Sequence, residues 1–294
     1  MSHNHHLFCQ RYCLLGLAAW VGLTTLARVG SAGMIHLADL NAQINIDTSA
    51  GGISGGTLDS QHYVNTQALF YRIGATGPQM TWLYSSSSAF STGDGPENNV
   101  AVVKYTGVSG LKLTQIYSLV GSEFGSGSAD ISEQFQITNS GLSPLDLHLF
   151  QYNNLQISSG ADTLQFKSPS QIYQTSSGQR TAEIVVTGMP AAYEVVTDST
   201  LWDKLNNGSS AVLNNTSGPV TGNTASAMEW DLVQLNAGKS YTFSEDYALN
   251  IPDPVPEPST MSLLFVALVV CACATCAICR RKGIRGTARG LFVS

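Results

Sequence analysis

ISEQFQITNSGLSPLDLHLFQYNNLQI, residues 131–157, is the stretch that decides the fold class. Its first half alternates strictly: Ile131, Glu133, Phe135, Ile137 and Asn139 lie on one side, Ser132, Gln134, Gln136 and Thr138 on the other. A period of two is the signature of a strand with one buried face. NSGLSP follows, rich in residues that favour turns, and then comes a second β-rich run. The pair reads as a β-hairpin.

The same texture extends both ways. TQALFYRIG, AVVKYTG, LKLTQIYSLVG, AEIVVTG, AMEWDLVQL and SYTFSEDYALNI are short runs of β-branched and aromatic residues. Turn-rich segments such as TGDGPENN, SGSG and NAGKS separate them. Many short strands at this spacing predict an all-β exported domain over residues 33–250, an antiparallel β-sandwich. One helix is expected inside it, with Ser199 as N-cap, Leu201 and Leu205 on one face and Gly208 as the stop.

Charge separates this body from the ends. All 20 acidic residues fall between Asp39 and Glu257, together with only seven basic ones, so the stretch carries 7 − 20 = −13. Such a surface repels phosphate backbones and excludes a nucleic-acid partner. The body also lacks cysteine, which removes thiolate zinc sites, cysteine nucleophiles and disulfides there. A domain of roughly 220 residues buries enough apolar surface to fold without them.

Residues 1–32 read as a signal peptide. Arg11 and several histidines precede an apolar core from Cys13 to Ala27, and Gly30-Ser31-Ala32 offers small residues for cleavage between Ala32 and Gly33. The other end holds a Pro-rich linker over 251–260 and then 19 uncharged residues, Met261 to Cys279. As a helix these would span about 28 Å, enough for a single transmembrane crossing. Arg280, Arg281 and Lys282 open a basic tail over 280–294 that the positive-inside rule holds in the cytoplasm. The four cysteines of the apolar run, Cys271, Cys273, Cys276 and Cys279, read as small lipid-tolerated side chains.

Pro256-Glu257-Pro258, the apolar run and Arg280-Arg281 stand in the fixed order of a known sorting signal. The last 40 or so residues resemble the PEP-CTERM signal of exported bacterial proteins. The resemblance implies a substrate of exosortase that reaches it through the Sec translocon and signal peptidase. It also implies an inner-membrane anchor before processing, then release to the cell envelope or outside, in cells that make exopolysaccharide or biofilm. Alternating prolines hold the motif extended, as a protease requires. The 12 residues after Lys282 make a longer tail than the family usually carries.

Candidate site residues in the body are sparse. His36, His62 and His148 remain after maturation, and His148 opposes Leu147 and Leu149 on its strand. Glu229 and Asp231 flank Trp230 and share a strand side about 7 Å apart, as glycosidase carboxylates could. A solvated strand face accounts for the two carboxylates, and a satisfied or exposed strand histidine for His148. Asp94 to Asn99 has oxygen ligands in a turn, as a calcium loop would, but not the regular spacing. Trp82, Trp202 and Trp230 could stack on sugars, or fill the core. No hydrolase or phosphate-loop motif is present.

These readings predict no catalytic residue, no metal and no cofactor. The expected function is a non-enzymatic surface or matrix protein associated with exopolysaccharide. The alternatives are a carbohydrate-binding module and a secreted hydrolase. The hydrolase requires Glu229, Asp231 or His148 to converge with other polar groups.

Overall fold

The computed structural model describes residues 32–93, 97–157, 161–176 and 181–250. The sorting motif Pro256-Glu257-Pro258, the apolar run 261–279 and the cluster Arg280-Arg281-Lys282 lie outside them, as do Asp94 and nearly all of the leader. No helix among the described residues is long and apolar enough to cross a membrane.

The chain is mostly β, as expected. In order it forms β1 (Met34–Asp39), β2 (Ala42–Asp47), β3 (Gly52–Leu58), β4 (Gln61–Ile73), β5 (Met80–Thr81) and β6 (Leu83–Phe90). Next come β7 (Val100–Thr106), β8 (Leu111–Gly121), β9 (Ser128–Asn139), β10 (Leu145–Gln156), β11 (Asp162–Ser168) and β12 (Gln171–Thr175). Then follow β13 (Thr181–Thr187), β14 (Ala192–Thr197), α1 (Asp198–Asn206), β15 (Val220–Gly222), β16 (Thr224–Leu235) and β17 (Ser240–Asn250).

Two antiparallel sheets result. One runs β1-β2-β3-β4-β10-β16-β14, with β5 paired to β4, and the other runs β15-β11-β12-β13-β17-β9-β8-β7-β6. Their inner faces close over a shared core, a sandwich-like arrangement. Alternation selects those faces: Leu111, Leu113, Gln115, Tyr117 and Leu119 of β8 are buried while the residues between them are not. A ring stack ties the layers together. Trp230 of β16 lies 4.4 Å from Phe243 of β17, which lies 4.5 Å from Phe135 of β9, and Trp230 Nε1 donates to Gly188 O at 2.7 Å.

The hairpin expected at 131–157 does not form. β9 pairs with β8 and β17, whereas β10 pairs with β4 and β16, so residues 140–144 carry the chain from one sheet to the other. Both strands have a core face, and alternation alone does not choose between pairing side by side and packing face to face. Asn139 makes the crossing local. Fully buried, it donates Nδ2 to Ser143 O and Leu235 O, both at 2.8 Å, and its Oδ1 accepts from Gly141 N at 2.9 Å.

Polar residues run through the middle of the core. Glu133 and Glu245 stand opposite one another on β9 and β17, each 1% exposed. Gln67 Nε2 donates to both Glu133 oxygens (3.0 and 3.1 Å) and Tyr247 donates to Glu245 Oε2 (2.9 Å). Gln151 Nε2 also donates to that oxygen, at 2.5 Å. Burial pushes Glu245 up to about 7, and burial together with the Glu245 charge pushes Glu133 up as well.

The expected helix is present, capped two residues earlier than predicted, at Thr197. Leu201 and Leu205 face inward, and Gly208 takes the left-handed conformation (φ 77°) that lets the chain leave. Together with Ala211 and Leu213, which follow it, α1 covers the outer face of the first sheet, over Ala68, Phe70, Phe150 and Tyr152. This outer layer frames the candidate site.

Candidate acid–base site

β10 is the central strand of the first sheet here, and its even-numbered side chains face outward. His148 lies opposite Arg72 of β4 on one side and Asp231 of β16 on the other, so one row crosses three strands. Glu229, two residues from Asp231, sits on the same face. The register of β10 on β16 shifts between Leu145 and Leu147, an irregularity of the kind found beside functional sites.

Register brings the side chains into contact. His148 Nδ1 is 2.5 Å from Asp231 Oδ1 and 3.1 Å from Glu229 Oε1. His148 Nε2 makes no hydrogen bond, with Asp146 Oδ1 3.7 Å away. Arg72 Nη2 reaches Glu229 Oε1 at 3.4 Å, while its other nitrogens donate to Ala211 O (3.0 Å) and Gly74 O (3.2 Å). The guanidinium also lies over the Phe150 ring, 5.0 Å from its centroid. Gln79 completes the setting when its amide is turned as its neighbours require: its oxygen accepts from Arg72 Nη1 at 3.1 Å and its nitrogen donates to Ser209 O at 2.8 Å.

Exposure is graded across the group. The Glu229 side chain is 9% exposed, His148 12% and Asp231 39%. Burial and the Asp231 charge raise Glu229 above the ordinary carboxylate range, against the opposing pull of Arg72 and His148. One atom from each of His148, Glu229 and Asp231 lies within 4.8 Å of the others, and the trio could also hold a metal ion. Arg72 already supplies positive charge to Glu229, the role an ion would otherwise fill.

The structure therefore unites two carboxylates that the sequence placed on a solvated strand face and a histidine it read as satisfied or exposed on its strand. Arg72 was missed altogether, since nothing local marks a lone strand arginine. Of the other candidates, His36 pairs its Nδ1 with Asn45 Oδ1 at 2.6 Å on the opposite flank of the sheet, away from this group. Trp82 and Trp230 are core residues, whereas Trp202 is only half-buried. At the expected cleavage pair, Gly33 N donates to Thr48 Oγ1 at 2.8 Å.

No family model matches the chain, and no curated protein matches it. Solved structures do resemble its fold. A bacterial glucoamylase complexed with acarbose aligns over 82% of this chain at 12% identity with a TM-score of 0.51, and the chain spans only 36% of that protein. A putative aldose 1-epimerase from Escherichia coli K12 aligns over 74% of this chain and 99% of its own length, at 10% identity and a TM-score of 0.49. The GalM/aldose epimerase homologue of C. elegans aligns over 76% of this chain and all of its own, at 9% identity and a TM-score of 0.44.

These findings correct the expected function. The non-enzymatic matrix protein rested on the sorting tail, a thiol-free β body and the lack of any catalytic constellation along the sequence. His148, Glu229 and Asp231 do converge, with Arg72 behind them. The glucoamylase that shares this fold is by its name an enzyme that acts on carbohydrate, not a matrix protein. The sequence reading failed because His148 and Asp231 are 83 residues apart and meet only through strand register.

Proposed function

We propose that the chain is a carbohydrate-processing enzyme whose acid–base group is His148, Asp231 and Glu229, and that it interconverts the anomers of a free sugar. The observation that carries this reading is the compactness of the trio. A glycosidase of the inverting kind needs its carboxyls about 6.5–9.5 Å apart to admit water, and a retaining one about 5–5.5 Å. Here a single imidazole bridges the two carboxylates, with one oxygen of each inside a 4.8 Å group. That arrangement leaves no room for a sugar ring between them, but it suits proton traffic at one carbon bearing two oxygens.

Anomerisation asks for that traffic. A base removes the proton from the hydroxyl on the anomeric carbon, the bond from that carbon to the ring oxygen breaks, and an acid delivers a proton to the ring oxygen. The open-chain aldehyde turns and the same steps run backward, with no net consumption of water or cofactor. Asp231, the most exposed of the three, takes the hydroxyl proton. His148 gives the other from Nε2, once the exposed Asp146 swings aside. Glu229 and Arg72 position the imidazole and set the charge around it. In this reading the two sheets are a β-sandwich that presents the site on its outer face. The carbohydrate chemistry of the glucoamylase and epimerases named above supports the choice of substrate class.

Polarimetry of freshly dissolved glucose, galactose, mannose and xylose tests it. The protein should speed the drift to equilibrium for at least one sugar, and Asp231→Asn should slow that rate by about 10²–10⁴-fold. A protein inert towards all of them would overturn the proposal.

Where the enzyme works is a separate proposal resting on the two ends of the sequence: export, with processing at Pro256-Glu257-Pro258 by an exosortase. Intact mass from the native cell should end near Pro258; a mature chain retaining residues 261–279 would refute it.

A further inference from the structure

We infer that the outer face of the same sheet carries a second sugar-binding place, distinct from the acid–base group, in the cleft between α1 and the far end of β10. This inference rests on the carbohydrate reading above. The cleft has a volume of about 300 Å³, the lower end of the range for small-ligand pockets, enough for one or two sugar rings. Tyr152 and Asn154 form its floor, four and six residues beyond His148 on the same side of β10, which sets it roughly 14 Å or more from the imidazole. Phe150, which α1 covers, lies between the two on that face of β10.

Its lining combines an aromatic with hydroxyl acceptors. Trp202 is half-buried and meets Phe70 (5.9 Å) and Tyr152 (5.1 Å) edge-on, with no ring stacked on it among the described residues. Asp203 is exposed beside it, with no side-chain hydrogen bond among the described residues. Asp198 is held in place by the Tyr152 hydroxyl and by Asn223 Nδ2 at 3.1 Å, so one carboxylate is rigid and the other free. Asn154, only 9% exposed, lines the cleft, and its buried Oδ1 has no partner among the described residues. No basic residue is among those lining the cleft, and Lys204, next to Asp203 in α1, is turned to Glu194 at 2.6 Å. Flat aromatic surface, carboxylate acceptors and no cation select a neutral sugar over an acidic one.

Saturation-transfer NMR on the full chain, with glucose, galactose, mannose and xylose as neutral probes and galacturonate as the acidic one, tests this. At least one neutral sugar should bind the wild type, and a signal should remain in His148→Asn. Asp203→Lys, which lays a long side chain across the opening at a position helices tolerate, should weaken binding roughly tenfold or more. Asp203→Asn, the gentler change, should weaken it less. Binding by none of the neutral sugars overturns the inference, as does galacturonate bound as tightly as they are. If instead His148→Asn loses the signal while Asp203→Lys keeps it, the sugar sits at the acid–base group. The inference then falls and the proposed function stands.

Discussion

His148 has three carboxylates around one ring: Asp231 and Glu229 at Nδ1, Asp146 facing Nε2. They do not serve alike, because exposure differs. Glu229 is desolvated, and burial together with the Asp231 charge raises it above its ordinary value. On the proposed function, activity should therefore fall on an acid limb set by Glu229, and Glu229→Gln should lack this limb in a pH–rate profile. A limb that survives the substitution would assign the titration elsewhere. Asn139 gives a second test at this scale. Removing its amide leaves Ser143 O, Leu235 O and Gly141 N without their partner. Asn139→Ala should cost about 2–4 kcal/mol in urea unfolding, more than a single exposed hydrogen bond. Part of the site was legible from the residues themselves: alternation put Glu229 and Asp231 on one side and His148 opposite its leucines. What joined them was not, because pairing partners are chosen by the whole sheet.

At the scale of elements, the helix was the easiest to read. Leu201 and Leu205 one turn apart and Gly208 at the exit marked it, and all three keep those roles. Its start moved to Thr197, a shift of the size that helix ends commonly show. Leu205→Ala should destabilise the protein by about 2–5 kcal/mol in thermal or urea unfolding, since the side chain is 1% exposed within the outer cluster. An effect below 1 kcal/mol would mean that α1 is not packed as described. The strands were legible as strands but not as neighbours. β9 and β10 show the reason: inward residues at every second position satisfy either a hairpin or two facing layers, and the choice lies in residues 140–144 and the buried Asn139.

The whole molecule is held by two sheets with a polar belt between them, and that belt makes its stability depend on pH. In the unfolded chain Glu245 titrates near 4.5, whereas folded it keeps its proton up to about 7. Its favourable contribution is complete below about 4.5 and is lost as pH rises through about 7, a fall of about 3 kcal/mol; Glu133 acts in the same direction. Unfolding free energy should thus be higher at pH 5 than at pH 8, and Glu245→Gln should flatten the difference. A wild type more stable at pH 8 would contradict the burial of these carboxyls. None of this was visible in the sequence, where Glu133 stood simply as one member of an alternating face. The acid–base assignment draws on the same property of sheets, that register joins distant residues. Magnetisation transfer between the α and β anomer resonances of a neutral hexose measures its consequence directly. The wild type should exchange the two at least tenfold faster than His148→Asn at equal concentration. Equal exchange rates for the two proteins, both folded, would contradict the account.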